Sequence, residues 1–288
     1  MSLRLEMLQV ARLAPKMLGE SAPLVRGFLG SQISESGAFR DRDGKADLYY
    51  TVFGIDSLLA LDPACNLHRQ RSYIESIADV APLDFVHLCC LIRARAQLSL
   101  PPLDAANQRL LNFRLKCGGF AQSPNGDNSV YNCFLGLGAH QDAGLAMTRS
   151  EDFLRSLQDF QTPSGGWNNQ REMGEGSTNA TAAAVAIYRQ LGAEMSAETA
   201  RWLHAQQHSS GGFKAAPGAP LPDLLSTATA LHALSGLGYP MDQIIEPTLD
   251  FLDSLWTAEG SFYAHWAEEV LDVEYTFYAL LALGHLCN

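Results

Sequence analysis

Residues 151–167 read EDFLRSLQDFQTPSGGW. Phe153, Leu154 and Leu157 share one face at helical spacing, with charges opposite, so the segment is a helix with one wet side. The Gly165-Gly166-Trp167 that follows supplies glycine, which takes the left-handed conformation that commonly stops helices. The same setting recurs at Gly37-Ala38-Phe39, Gly118-Gly119-Phe120, Gly211-Gly212-Phe213 and Gly260-Ser261-Phe262. The aromatics stand at 39, 120, 167, 213 and 262, with gaps of 81, 47, 46 and 49 residues. Repetition at this period means stacked supersecondary units. The first gap is a double one, and Asn66–Ala78 followed by Asp84–Leu98 fills it with a two-helix unit that lacks the glycine mark. The total is six units.

Ala197–Gln207 and Ile244–Trp256 repeat the amphipathic pattern of 151–161 and read as outer helices. After each turn a loop leads to a second helix. Its start carries Asp47, Asp84, Asp127, Asp223 or Asp272, and Ser177 in the remaining unit, all good N-cap residues. Thr178–Ile187 and Leu224–Leu237 carry no formal charge, and a helix without a wet face is buried all round. Wet outer and dry inner helices, closed into a ring, make an all-α protein with an α/α toroid fold. Its inner helices run parallel, their N-caps gather at one mouth, and they enclose a central cavity suited to a large apolar ligand. The reading divides the chain into an N-terminal helical extension, 1–22, and a single toroid of six repeats, 23–288. Within the extension, residues 1–18 read as an amphipathic helix with Leu5, Leu8, Val10 and Leu13, packed on the body.

Of the 288 residues 47% are hydrophobic, which suits a packed core, and the net charge of −11 without a basic cluster argues against nucleic acid. No apolar run is long enough to span a membrane, and the N-terminus lacks a secretory pattern. Cys65, Cys89, Cys90, Cys117, Cys133 and Cys287 show no metal-finger spacing. Free thiols in a chain of this size suggest a reducing, cytoplasmic location.

Phe153-Leu154, Gln158 and Gly165-x-Trp167 form the Phe-Leu-x-x-x-Gln…Gly-x-Trp pattern of prenyltransferase and squalene-cyclase repeats. From about Leu24 to Leu286 the chain resembles protein prenyltransferase β subunits, above all the Rab geranylgeranyltransferase (type II) β subunit. Asp47-Leu-Tyr-Tyr-Thr51 resembles the first inner helix of that subunit, and Leu221-Pro222-Asp223 the opening of its zinc motif. The resemblance implies an isoprenoid in the cavity and a helical partner subunit. It also implies zinc held by Asp-x-Cys on one inner helix and His on the last. Those positions read Asp223, Leu225 and Tyr275 here, one ligand where zinc needs three. No cofactor is therefore expected, zinc included. The family's diphosphate-binding cations reduce to Lys214, with Thr178 and Ser129 near two other basic positions. The sister cyclases start catalysis with Asp-x-Asp-Asp-Thr-Ala, where this chain has Asp223-Leu-Leu-Ser-Thr-Ala228.

Candidate catalytic residues are Asp223, Asp272 and Glu274. Asp223 and Asp272 recur as helix caps, whereas Glu274 does not occupy a repeated capping position. Candidate ligand-binding residues are Tyr50, Tyr131, Tyr275, Lys214 and His265, the tyrosines being equally able to pack between helical layers. His87, His140, His232 and His285 read as structural, and Trp167 as a clamp between repeats. Three functions compete: a prenyltransferase-like protein, a terpene-cyclase-like enzyme with a carboxylic acid donor, and a non-catalytic binding protein on the same scaffold.

Overall fold

A computed structural model describes residues 2–287. It begins with α1 (Leu3–Ala11) and α2 (Ala14–Leu18), and outer and inner helices then alternate. The pairs are α3 (Ala22–Ser31) with α4 (Leu48–Leu61), α5 (His68–Ser76) with α6 (Phe85–Gln97), and α7 (Asp104–Leu111) with α8 (Val130–Asp142). The second half adds α9 (Ser150–Gln158) with α10 (Thr178–Gln190), α11 (Ala197–His204) with α12 (Leu224–Gly236), and α13 (Asp242–Asp253) with α14 (Val273–Leu286). Each inner helix packs against its two inner neighbours, and α14 packs against α4, so the ring closes. The α/α toroid is thus the observed architecture. Two short antiparallel ladders, Phe39–Arg40 with Ala46–Asp47 and Phe213–Lys214 with Pro222–Asp223, stiffen the loops at the mouth.

The glycine of the repeat turn does not end the outer helix as the sequence suggests. α9 stops at Gln158, and its cap Asp159 is right-handed. Gly165 lies further on, at φ +93°, in a tight loop where its N–H donates to the Thr162 carbonyl at 3.0 Å. At the equivalent position of the other marked turns glycine is needed for space as well as for φ. A Cβ at Gly211 would lie 1.8 Å from the Pro247 carbonyl oxygen of α13; at Gly37 it would lie 2.3 Å from that of Arg69 in α5. At Gly260 it would lie 2.3 Å from the Leu24 carbonyl oxygen of α3. Each of these glycines is where one repeat meets the next outer helix, and Gly260 joins the sixth repeat to the first.

Trp167 packs edge-on against Tyr188 of its own repeat, whereas Phe120 lies between Phe85 of the preceding repeat and Phe153 of the next. The N–H groups of Phe39, Trp167 and Phe213 each donate to a first-turn threonine of their own inner helix, Thr51, Thr181 and Thr227, at 2.9 Å. Phe39 also covers Gly54 and Phe120 covers Gly136 so closely that a Cβ would sit 2.4 and 2.3 Å from the rings.

Asp47, Asp84, Ser177, Asp223 and Asp272 cap their helices as expected. The exception is α8, capped by Ser129 rather than Asp127. Ser129 is the extended residue immediately before Val130, and its Oγ accepts from the Asn132 N–H.

The helix read over 1–18 is two helices. Pro15 lacks the N–H that a continuous helix would use and sits in the first turn of α2. Leu3, Met7, Leu8 and Ala11 form the buried face, while Leu5 points outward. α1 does not lie on the outside of the body but across the C-terminal ends of the inner helices. The Leu3 N–H donates to Gln141 Oε1 at 2.9 Å, Arg4 pairs with Asp142 at 3.1 Å, and Arg189 and Gln190 hold Glu6 at 2.6 and 2.8 Å. The barrel is thereby plugged at one end. Met1 and Asn288, which end the ranges read from sequence, lie outside the described residues. Among the described residues no helix is long and apolar enough to cross a membrane.

Candidate functional site

The parallel inner helices enclose a cavity of about 400 Å³, within the range of small-molecule sites. Its wall follows the helical period. The second residues of five inner helices, Tyr49, Tyr131, Asn179, Leu225 and Glu274, line it at the mouth. Four residues on, one turn deeper, come Phe53, Cys90, Leu135, Ala183, Thr229 and Tyr278. Seven residues on lie Arg93, Gly138, Ala186, His232 and Leu281, and α1 supplies the floor with Leu3, Arg4 and Met7. The middle is apolar and aromatic; polar groups concentrate at the two ends.

The three candidate acids differ in what their oxygens do. Asp223 accepts from the Ser226 N–H with one oxygen and from the Ser226 hydroxyl with the other, both at 2.7 Å. Asp272 accepts from the Tyr275 N–H at 2.9 Å and from Arg42 Nε at 2.8 Å. Both are occupied helix caps; burial raises the pKa of each. Glu274 lines the cavity, and the Tyr49 hydroxyl donates to its Oε1 at 2.6 Å. Among the described residues Oε2 has no hydrogen-bond partner. Burial outweighs the Tyr49 bond and pushes the Glu274 pKa up to about 7, so at neutral pH a large share of the molecules carry its proton. With Oε1 accepting from Tyr49, that proton belongs on Oε2.

The elevated pKa has a thermodynamic signature. Between about pH 4.5 and 7 the unfolded chain ionises this carboxyl while the native one stays protonated, so stability falls as pH rises across that window. The whole effect is about 3 kcal/mol. Glu274→Gln cannot ionise, so its stability relative to the parent is expected to grow by that amount from pH 4.5 to 8. Urea unfolding at several pH values measures it, and a pH-independent difference would contradict a protonated Glu274.

The other expected site residues divide by position. Tyr131 is on the wall, whereas Tyr50, Tyr275, Lys214 and His265 are not among the lining residues. Tyr275 lies under the Arg42 guanidinium, 5.4 Å from the ring centroid. Lys214 Nζ donates to the Pro217 carbonyl at 2.9 Å, and His265 Nδ1 accepts from the Ala267 N–H at 3.1 Å. Sequence reasoning missed Tyr49, one position from Tyr50, and Arg42, whose partners Asp272 and Glu268 are far along the chain. His87 was read as structural and sits at the mouth, 2.9 Å from Asp84 and 3.6 Å from Asp47. Burial opposes its charge, but these carboxylates raise its pKa.

The zinc arrangement implied by the resemblance does not fit these residues. Asp223 has no free oxygen, Leu225 presents a hydrocarbon, and Tyr275 is covered by Arg42. Among the described residues no three His, Cys, Asp or Glu side chains come together as a metal site. A diphosphate is equally poorly served. Helix N-termini bind anions through free N–H groups, but here each inner helix carries a cap that already accepts from one of them, and four of the six caps are Asp, which place negative charge at the mouth. Arg42 is bound by Asp272 and Glu268, and the cations on the cavity wall, Arg4 and Arg93, lie at the far end.

The profile of the prenyltransferase alpha-alpha toroid domain matches residues 91–198 and 189–287, most of the chain. The chain belongs to this family. Among solved structures, Candida albicans protein geranylgeranyltransferase-I complexed with GGPP aligns with TM-score 0.56 and 17% identity over 68% of this chain. The chain spans 65% of that protein's length. A type II terpene cyclase from Scytonema, in complex with its product merosterolic acid A, aligns with TM-score 0.65 and 13% identity over 95% of this chain and 97% of its own. A variant of that cyclase holding its substrate, geranylgeranyl dihydroxybenzoate, gives TM-score 0.64 and 14% identity, with coverage of 95% and 97%. At these identities the likeness establishes the toroid fold. A search of curated proteins finds no match.

Proposed function

We propose that this prenyltransferase-like toroid binds an isoprenoid with an uncharged, oxygenated head and that Glu274 protonates that oxygen, a terpene-cyclase-like function. The observation that carries the reading is the unpartnered Oε2 of Glu274 on the wall of an aromatic cavity, where burial raises the pKa of the group, while Asp223 and Asp272 are tied up as caps. A carboxylic acid with a pKa near neutrality gives its proton to a basic acceptor, such as an epoxide, allylic alcohol or carbonyl oxygen, far more readily than to an unactivated alkene. Protonation there opens an epoxide, expels water from an allylic alcohol or makes a carbonyl carbon electrophilic, and a neighbouring alkene of the chain attacks the electron-poor carbon. Tyr49, Tyr131, Phe53 and Tyr278 offer ring faces to the positive charge there. A final proton loss restores the acid or goes to water. Zinc-dependent thiol prenylation is not supported by the residues at its positions. The finer likeness to the Rab type, with its helical partner subunit, rests on the motifs at Asp47–Thr51 and Leu221–Asp223.

Calorimetric titration with geranylgeraniol and with geranylgeranyl diphosphate tests the binding. The alcohol is expected to bind and the diphosphate to bind at least about tenfold more weakly, because placing it among the mouth carboxylates costs more than one hydrogen bond returns. Tighter binding of the diphosphate would overturn the uncharged-head reading, and no binding of either would overturn the isoprenoid reading.

A further inference from the structure

We infer that the base of the cavity is a second polar subsite, which accepts an uncharged oxygen, a hydroxyl or carbonyl, at the ω end of the isoprenoid chain. The inference rests on the isoprenoid-binding reading above and goes beyond it by assigning a function to the end remote from Glu274. A cavity serving a plain hydrocarbon tail would end in aliphatic side chains. This one sets Arg93, Arg4, Asp142 and His232 among Leu3, Met7 and Leu281 at its base.

Arg93 of α6 uses one arm to pair with Asp56 of α4 at 2.5 Å. Asp56 is fully buried, whereas the Arg93 side chain keeps 20% of its surface accessible, and Arg93 lines the cavity. Among the described residues Nη1 of Arg93 has no hydrogen-bond partner, and its Nε and Asp56 Oδ1 are buried without one. The guanidinium therefore has unused N–H groups at the bottom of an enclosed space, where a missing partner is costly. A tail of carbon and hydrogen would leave Nη1 unsatisfied; a terminal oxygen would accept from it.

Charge balance selects the class of oxygen. Arg93 is neutralised by Asp56, and Arg4 by Asp142 at 3.1 Å. Burial lowers the His232 pKa to about 4 and that of His285, 2.9 Å away, to about 3, so the imidazole pair is neutral. Glu6, beside His232, is held by Arg189. The base carries no net charge, so a carboxylate or phosphate there would be a buried charge without a counter-ion. A neutral acceptor satisfies the free N–H groups and leaves the balance intact. From the Glu274 level to the Arg93 level the helices advance seven residues, roughly 10 Å, so one extended chain can reach both ends.

The test compares farnesol with ω-hydroxyfarnesol by calorimetry on the parent protein, on Arg93→Met/Asp56→Leu, and on Arg93→Lys. The double variant removes both members of the pair, so no charge is stranded. Arg93→Lys keeps the pair with Asp56 but loses the second arm. The parent is expected to prefer the hydroxylated alcohol by roughly tenfold or more. Both variants are expected to lose that preference, read as the ratio of the two affinities within each protein. If the double variant fails to fold, Arg93→Lys alone decides. Equal affinities in the parent, or a preference that survives in a folded variant, would overturn the subsite while leaving the isoprenoid reading standing. Failure of the parent to bind either alcohol would remove both.

Discussion

Glu274→Gln is expected to lower turnover of an oxygenated isoprenoid by about 10³-fold with its affinity little changed, the scale of loss when a positioned general acid is removed. The variant keeps the size of the side chain and an oxygen to accept from Tyr49, and loses the proton. The pH profile supplies an independent readout. An acid with a pKa near 7 makes kcat/KM fall as pH rises through neutrality. Asp223→Asn preserves a cap on α12 and is expected to turn over at nearly the parent rate. Product formation followed by gas chromatography and mass spectrometry, with each variant's fold checked by circular dichroism, gives the comparison. Undiminished turnover in Glu274→Gln, or an equal loss in Asp223→Asn, would remove Glu274 from the role proposed for it.

Gly211→Ala is expected to destabilise the toroid by about 4 kcal/mol, a large part of the stability of an ordinary domain. Two costs combine. At φ +95° an L side chain costs about 1–2 kcal/mol, and forcing atoms into a packed interface adds about 1–3 kcal/mol. The second cost is unavoidable because the obstacle is backbone, the Pro247 carbonyl at 1.8 Å, rather than the tip of a flexible side chain. Gly44 is the control. It shares a positive φ, +81°, but a Cβ there would meet nothing within 4 Å. Gly44→Ala should cost only the conformational part, about 1–2 kcal/mol. Thermal unfolding of the two variants separates the effects, and equal losses would show that the contact between repeats is not what demands glycine.

The toroid was legible in the sequence because its cause is periodic. A glycine and an aromatic at the turns of five of the six units leave a mark that recurs with the repeat. Glu274 was legible for the opposite reason, as an acid that the capping pattern did not explain. What escaped depended on helix phase and on distant pairs. The pattern does not separate Tyr50 from Tyr49, because adjacent residues on a helix face different ways and only the neighbouring helices fix which one faces the axis. Arg42 lies in a loop, and nothing in its own segment marks its hydrogen bond to Asp272. Arg93 and Asp56 belong to different repeats, and nothing in either segment marks them as a pair. The N-terminal segment carried a readable apolar face, but its address at the base of the barrel lay in Gln141, Asp142 and Arg189 rather than in itself.

The contact between Gly260 and Leu24 distinguishes this molecule from an open stack of similar repeats. An open stack has free ends and can fray from them or be shortened unit by unit. Here the sixth repeat finishes against the first, so a contact between distant parts of the chain completes the ring. Loss of any unit breaks two seams instead of exposing one. Folding then has a late, slow event, the meeting of the two ends of the chain, and unfolding should proceed as one transition rather than repeat by repeat. The cavity inherits this all-or-none character, since a ring with one seam open no longer encloses it.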